Sequence, residues 1–478
     1  MGASEQQMDD LSGSQAVVLG ASMAGLLAAR VLSERFGQVV VIERDVLPPA
    51  GEHRRGISHG RHLHALHPRG REILEELFPG FTAALTARGA VPCDVLGNVR
   101  WQLSGYQLRQ ATIGLPGLLA SRPFLEGHLR EMVRQLPAVR FLDDTSASAL
   151  AVSADKRTVT GVEVRGPGTG PPAVIAADLV VDATGRGSRT PAWIEELGYQ
   201  RPAQERIEIG LGYASRRYRL RPGALGSDEV ILTAGTLATP RSGFLAATEG
   251  GLHILTLAGI CGDYPPVDPP QFDEFVASLP SADVAAAIAG GEPLDDPVPF
   301  RFPASVRNRY ERLAAFPAGM LVIGDAVCSF NPVYGQGMTA AAAQAMALRR
   351  LLARPGMPDA RRYFRAIAAV VDVPWDIAAG ADLAFSQVPG KRTAKVRLVN
   401  AYLPRLHAAA ARDQALAAAL VRVIGLKDRP EGLLRPDRML RVLRGNLVPG
   451  KRPHASGGQG PAGISPARPG ARAGRPES

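Results

Sequence analysis

The chain has 478 residues, 46% hydrophobic and 21% charged, with a formal net charge of +10. That length buries a large core and suits two or three domains, and no stretch of about 18 or more apolar residues offers a membrane-spanning helix. The positive balance does not point to nucleic acid: residues 449–478 hold five Lys or Arg against one acid, and no basic block is interleaved with aromatics.

Cys93, Cys261 and Cys328 are odd in number and far apart, which fits a reducing cytoplasm and gives neither a disulfide framework nor a zinc ribbon. Residues 1–14 are polar, without a signal- or transit-peptide pattern. Ala16 to Leu19 is an apolar run of strand length, Leu26 to Leu32 has helical composition, and Val39 to Ile42 is a second buried-strand run. Together they predict a βαβ unit. Its turn, Gly20-Ala21-Ser22-Met23-Ala24-Gly25, follows the dinucleotide pattern G-x-G-x-x-G except at Ser22. Gly20 makes the tight turn, Gly25 lets the helix pack closely, and Ser22 is the next smallest polar choice where backbone approaches a pyrophosphate. Glu43 lies 23 residues after Gly20, in the range for an acid that binds a ribose hydroxyl.

The stretch HRRGISHGRHLHALH, His53 to His67, holds five of the nine histidines. Clustered imidazoles suit a metal. However, His128, His253, His407 and His454 are scattered and no Cys lies nearby, so no metal is expected. Arg69 to Leu77 reads as a helix ended by FPG, and Pro123 to Gln135 as a helix opened by Ser121. RTVTGVEVRGPGTGPPAVIAADLVVDATG predicts a hairpin leading into a buried strand at Leu179 to Val181. Alternating patterns such as GLHILTLAG, between about 191 and 299, predict a second, sheet-based domain. Residues 358–444 read as helical, and the Gly/Pro/Ala/Arg-rich end as disordered.

Two later segments select a flavin dinucleotide. DLVVDATGRGS places Thr184 and Gly185 at a strand end, and LVIGDAVCSFNPVYGQGM places Gly324 and Asp325 at another. A carboxylate there can hold a polyol such as a ribityl chain. Pro332, Gly335, Gln336 and Gly337 then precede a long helix, whose N-terminal N–H groups can face an electron-rich ring edge. An NAD-only dehydrogenase does not need this third segment.

On these residues the chain resembles the single-component FAD monooxygenases, the superfamily of aromatic hydroxylases and squalene epoxidases. GASMAG with Glu43, DATGRGS and GDAVCSFNPVYGQGM match its three FAD segments in order and spacing. RRGISHGRHLHAL, SRPFLEGHLR, NPVYGQGM and PWDIAAGADLAF are similar to the bacterial branch that includes polyether polyketide epoxidases, and the likeness runs from Gln15 to about Gly390. It implies an α/β fold in which a Rossmann-like FAD-binding domain (15–75, 119–190 and 300–357) carries an inserted mixed-sheet substrate domain (76–118 and 191–299) and a C-terminal helical region (358–445). Residues 1–14 and 446–478 are expected to be disordered tails.

Residue by residue, the resemblance implies that Gly20, Ala21, Ser22, Met23, Ala24 and Gly25 meet the pyrophosphate and that Glu43 and Arg44 meet the adenosine ribose. Arg122 would approach the phosphates and ribityl chain, with Asp325, Gly185 and Gly324 beside them. Pro332, Gly335, Gln336, Gly337 and Met338 would flank the isoalloxazine. Arg122 also reads as a helix-start surface residue, and Met338 as core packing. Where the chain crosses the flavin, Arg61 and His62 are candidates for cofactor contact, and His64 and His67 are structural or pocket-lining.

The implied chemistry is reduction of FAD by NAD(P)H, then transfer of one oxygen atom from O2 through a flavin C4a-hydroperoxide to an electron-rich carbon. The protein shields and positions, so no dedicated acid/base pair is required. Only one dinucleotide fingerprint is present, so NAD(P)H binds transiently, or a separate flavin reductase supplies electrons. A flavin halogenase would want a Lys beside the ring and a Trp-rich motif, but the first Lys is Lys156 and EGGLHILTLAG has no Trp. An isoprenoid-type FAD reductase and a non-catalytic flavoprotein remain as alternatives. The expected substrate is an apolar small molecule. Olefin epoxidation in secondary metabolism is preferred over aromatic ring hydroxylation. Trp101, Tyr106, Tyr213 and Phe244 are candidate pocket residues, each also readable as ordinary core. Leu398 to Arg444 reads as a helical cover with a solvated Arg face, and docking to a membrane or carrier protein is the lesser reading.

Overall fold

The computed structural model describes residues 14–447 apart from Arg55 and Thr169; residues 1–13 and 448–478, with His454 and nearly all of the two expected tails, lie outside the described residues. The front βαβ unit forms as its pattern predicts. Strands Gln15–Leu19 and Gln38–Ile42 run parallel, joined by the helix Met23–Leu32. Val139–Leu142 pairs beyond the second strand, and Leu179–Asp182 then Met320–Val322 pair on the other side, completing a five-stranded parallel sheet.

The strands are apolar throughout because both faces are covered. Ala16, Val18, Val39 and Val41 pack into the main core with the helices Met23–Leu32, Arg122–Arg134 and Gly337–Leu352. Val17, Leu19, Val40 and Ile42 face a second layer that includes Val159, Val162 and Val164. That layer is the predicted hairpin, Val159–Arg165 with Ala173–Ala176, extended by Ser146–Val152.

The second domain is built on an eight-stranded sheet. Val99–Leu103 joins it by running parallel to Val230–Thr233, so the two segments of the inserted region share one sheet. Val298–Phe302 straddles the expected boundary at 299/300 and pairs with residues 211–215. Pro269–Ala277 and Asp283–Ile288 cover one face through Phe272, Phe275 and Val284. A small sheet of Ala65–Leu66, Pro116–Leu119 and Val91–Asp94 ties the halves together: Leu66 and Leu118 belong to the main core, Cys93 and Leu119 to a second one.

The C-terminal region folds as the helices Ala360–Asp382, Ala394–Ala410, Gln414–Ile424 and Pro436–Leu447. Asn446 and Leu447, expected in the tail, complete the last of them. Among the described residues no helix is long and apolar enough to cross a membrane.

The turn after the first strand tolerates no side chain at its packing glycine. A Cβ on Gly25 would lie 1.8 Å from the Gly20 carbonyl oxygen. Gly25→Ala is therefore expected to destabilise the protein by about 3 kcal/mol. Gly380→Ala, in open space within a helix, should be neutral or stabilise by up to about 1 kcal/mol. Urea melts of the two variants against the parent check both.

Candidate active site

The three predicted segments meet at the carboxyl ends of the parallel strands, where ligands bind in open α/β sheets. Gly20 takes φ +99°, and a Cβ there would lie 2.8 Å from the Ala183 carbonyl oxygen; its N–H donates to Ile42 O at 2.8 Å. Gly324 takes φ +73°, and its Cβ would overlap that of Ala24 at 2.6 Å, so the third segment touches the first. Gly185, also at positive φ, faces Asp325. Fully buried Asp182 fixes the second segment by accepting from the Thr184 N–H at 2.8 Å and from the Ser188 and Thr190 hydroxyls at 2.5 Å each. The helices Met23–Leu32 and Gly337–Leu352 both begin here, with no side-chain cap and no acid in the first turn. Their first N–H groups are left for an anion or an electron-rich edge.

A buried charge network surrounds the Gly20–Gly25 turn. Glu43 accepts from the Ala21 N–H at 2.8 Å, from Arg54 Nη2 at 2.8 Å and from the Asp45 N–H at 3.1 Å. Arg54 also donates to Ala21 O and Asp45 Oδ2. Arg122 is buried, not a surface residue, and donates to Glu126 Oε2 from Nε and Nη2 at 3.0 and 2.7 Å. The Ser22 hydroxyl accepts from Arg122 at 2.9 Å and donates to Glu126 at 2.8 Å. The departure from Gly at this position thus supplies a polar link. Arg54 and Glu126 escape a reading of the sequence, although Glu126 stands at i+4 from Arg122, the helical pairing distance. Arg44 does not join Glu43. Its side chain is 70% exposed and lies 3.9 Å from Asp45.

Asp325 keeps solvent access just past the carboxyl end of the strand Met320–Val322. Burial raises its carboxyl pKa, while Arg186, Arg122 and the Ser329 hydroxyl pull it down. Arg186 lies over Phe302 and Phe300, at 5.3 and 5.7 Å from the ring centroids. The His59 and His64 rings are 5.4 Å apart. Burial drives His64 down to about 3, with Arg122 next. Burial also drives His59 well below the usual range, with His64, Arg122 and Arg186 adding to it.

Arg61 and His62 are placed differently from each other. The turn Ser58–Arg61 leaves Arg61 exposed and sends His62 against the second sheet, its ring 5.7 and 5.4 Å from those of Tyr213 and Phe300. There His62 Nδ1 lies 2.7 Å from the Ser215 hydroxyl, itself 2.6 Å from that of Thr256. The residues of this stretch that share the field of Arg122 are His59 and His64 instead. His67 Nε2 lies 3.1 Å from Tyr334 O and braces the loop after Asp325. Among the described residues no three His, Cys, Asp or Glu side chains form a metal-binding group.

That loop turns at Pro332–Tyr334, and Gly335 takes φ +66°. Gln336 is fully buried, with Nε2 donating to Ile424 O at 2.9 Å and Oε1 unpartnered. Gly337 is exposed in open space. Met338 packs its side chain into the main core, so only its backbone is left for a ligand. Asn331 Nδ2 and the Tyr334 hydroxyl both donate to Asp382 Oδ1, at 2.8 and 3.1 Å. Asp382 Oδ2 is buried without a partner. Burial lifts this carboxyl to about 7 against those two hydrogen bonds. Nothing in PWDIAAGADLAF separates Asp382 from Asp376, which is exposed and pairs with Lys395.

Val333 of the loop packs on an apolar cluster of Tyr213, Phe244, Phe300, Phe302 and Leu383. Tyr213 and Phe244 are thereby brought to the site. Trp101 and Tyr106 are not. Trp101 lies in the core under the C-terminal helices, donating to Val95 O at 2.7 Å, and Tyr106 sits on the sheet's edge strand.

No family model matches the chain. Protein Rv3254 of Mycobacterium tuberculosis is 41% identical over 352 residues, which cover 70% of this chain and 72% of that protein. The chain belongs to the family of that protein. The solved flavin-dependent brominase Bmp2 superposes with a TM-score of 0.62 at 15% identity, covering 86% of this chain and 93% of its own. The p-nitrophenol 4-monooxygenase PnpA of Pseudomonas putida DLL-E4 gives 0.61 at 17% identity, covering 87% and 99%. The chain shares the fold of these two proteins, an α/β architecture as implied by the sequence.

The neutral histidines set an acid limit on stability. Burial, then Arg61, holds His62 at about 4, below its unfolded value of about 6.5. Its contribution is complete above about pH 6.5 and is lost as pH falls toward 4, by up to about 1.4 kcal/mol per pH unit. His62→Gln should shrink the stability loss between about pH 7 and pH 5 in urea melts; an unchanged loss would remove His62 from the account.

Proposed function

We propose that this protein is an FAD-dependent monooxygenase that adds one oxygen atom from O2 to an apolar, electron-rich small molecule, with olefin epoxidation in secondary metabolism as the preferred reaction. One observation carries this reading: two uncapped helix N-termini, Glu43, Arg122 and Asp325 lie together at the carboxyl edge of the parallel sheet, with an apolar cluster adjoining. The donor set fits FAD. The first N–H groups of Met23–Leu32, with Arg122, suit a pyrophosphate. Glu43 suits a ribose hydroxyl, and Asp325 a ribityl hydroxyl. The loop from Pro332 to Gly337 suits the ring. Arg61 and Arg44, both exposed, drop out of that set; His59, His64 and Arg186 enter it, and His62 stays beside it, its ring packed on Tyr213 and Phe300 with Nε2 unpartnered.

When bound, FAD supplies the redox chemistry and the activation of O2. The chain's own residues bind, orient and exclude water. Tyr213, Phe244, Phe300, Phe302 and Leu383 form the apolar wall against which a substrate is held dry. His67 and Asp382 hold the ring loop through Tyr334 and Asn331. NAD(P)H, or a separate flavin reductase, supplies electrons. The three cysteines are free, which suits a reducing cytoplasm.

A second reading is hydroxylation of a phenol. The Asp382–Tyr334 pair favours it, because the Tyr334 hydroxyl can pass its proton to Asp382 Oδ1, to which it donates, while taking one from an ionising phenol.

Mass spectrometry of products formed with FAD, NADPH, isotopically labelled O2 and a panel of polyenes and phenols decides between them. One labelled oxygen in an epoxide is the expected result. A labelled catechol or hydroquinone selects the second reading. NADPH oxidation without label in any product removes both, leaving the reductase or non-catalytic flavoprotein. The protein should be yellow as purified, and failure to take up FAD would overturn the proposal at its base. Arg122→Ala should weaken FAD binding by at least about tenfold in a flavin-fluorescence titration.

A further inference from the structure

The last helix, Pro436–Leu447, shows solvent an apolar face. Met439, Leu440, Leu443 and Leu447 are 43, 47, 62 and 80% exposed. Their spacing puts them on one side of the helix. The opposite side is the one that docks: Val442 is buried, Gly445 abuts Ala409, Asn446 donates to Arg405 O at 2.9 Å, and Arg441 pairs with Asp413 at 2.6 Å. Leu398, on the partner helix, and Leu434, just before the last helix, are exposed too. These six make up half of the twelve exposed large hydrophobic residues among the described ones. Scattered apolar residues need no explanation, but a concentration on adjoining elements marks an interaction surface.

Charge is polarised to the same end of the chain. Residues 391–478 hold 18 Lys or Arg against 5 acids, so the other 390 residues, with 37 against 40, are slightly acidic. Arg397, Arg405, Arg435 and Arg444 are exposed on the elements that carry the apolar face.

We infer that the helices Ala394–Ala410 and Pro436–Leu447 form a docking surface for an anionic lipid membrane, with the leucines entering the acyl boundary and the arginines meeting headgroup phosphates. An apolar helix face with exposed arginines on the same and adjoining elements has the chemistry for this. A second copy bound through a two-fold axis would bring the same arginines face to face. The chain's own end is a poor cover, because residues 448–478 contain only Val448 and Ile464 as large apolar residues and are themselves basic. Nucleic acid would leave the four apolar side chains of the last helix unused. The inference is independent of the reaction proposed above.

The test is flotation of the full-length, FAD-loaded protein with vesicles of phosphatidylcholine, with and without one third phosphatidylglycerol. The parent should float with the anionic vesicles and much less with the neutral ones, and salt should weaken binding. Leu440→Asp with Leu443→Asp, and separately Arg435→Glu with Arg444→Glu, should each lower vesicle affinity by at least about tenfold. Both pairs are exposed, so flavin content and melting temperature should match the parent. No flotation of the parent, or equal flotation of parent and both variants, overturns the inference. A concentration-dependent dimer lost in the leucine variant, without vesicle binding, also overturns it and assigns the face to self-association.

Discussion

The close approach of Gly25 to the carbonyl oxygen of Gly20 is the constraint on which the rest of the site depends. It seats the first helix against the end of the central strand, so that helix begins at the carboxyl edge of the sheet. Gly324 can then lie against Ala24, and Glu43 can reach the Ala21 N–H from the neighbouring strand. A side chain at Gly25 would lift the helix, and all three relations would open together. The dinucleotide fingerprint is thus first a packing rule; its capacity for a phosphate follows from where the packing leaves the helix N-terminus.

Around that turn the chain buries two arginines and three carboxylates. Removing such groups from water costs several kcal/mol per ion unless each is paired. Here Arg54 is shared by Glu43, Asp45 and Glu126, and Arg122 pairs with Glu126 and the Ser22 hydroxyl. The histidines at the site contribute no further charge, because burial and the nearby arginines hold them neutral. The site therefore presents few and localised charges, which suits a ligand with a pyrophosphate at one end and an uncharged ring at the other.

What was legible in the sequence was set locally. Continuous apolar runs identified the parallel strands, and glycine spacing identified the turn, because strand and turn answer to neighbours a few residues away. Arg54, Glu126, Arg186 and Asp382 were not legible: apart from the i+4 pair of Glu126 with Arg122, deciding partners come from distant segments, as when Asn331 meets Asp382 or Arg186 meets Phe300. In the histidine stretch the residue types were informative, but their directions were not, because one short helical turn decides which ring faces which sheet. The last helix misleads for a different reason. Its large leucines invite burial, yet the packing side is chosen by Val442 and Gly445, which let the helices approach closely.

The C-terminal helices are more than a cover. Asp382, at the end of the first, is the acceptor for Asn331 and Tyr334, and Ile424, at the end of the third, is the acceptor for the Gln336 amide. The side chains of Asn331, Tyr334 and Gln336 thus take hydrogen bonds from a region well over forty residues away in the chain. Without it, several polar groups would be buried unpaired, each at a cost of about 1–3 kcal/mol. The loop keeps its shape because the helices are in place. The helix carrying Ile424 also shares a core cluster with Val442 of the last helix. A continuous path of packed residues therefore runs from the exposed leucine face to the loop beside the proposed flavin site. The two ends are coupled only if that path has two arrangements, and packing alone supplies one.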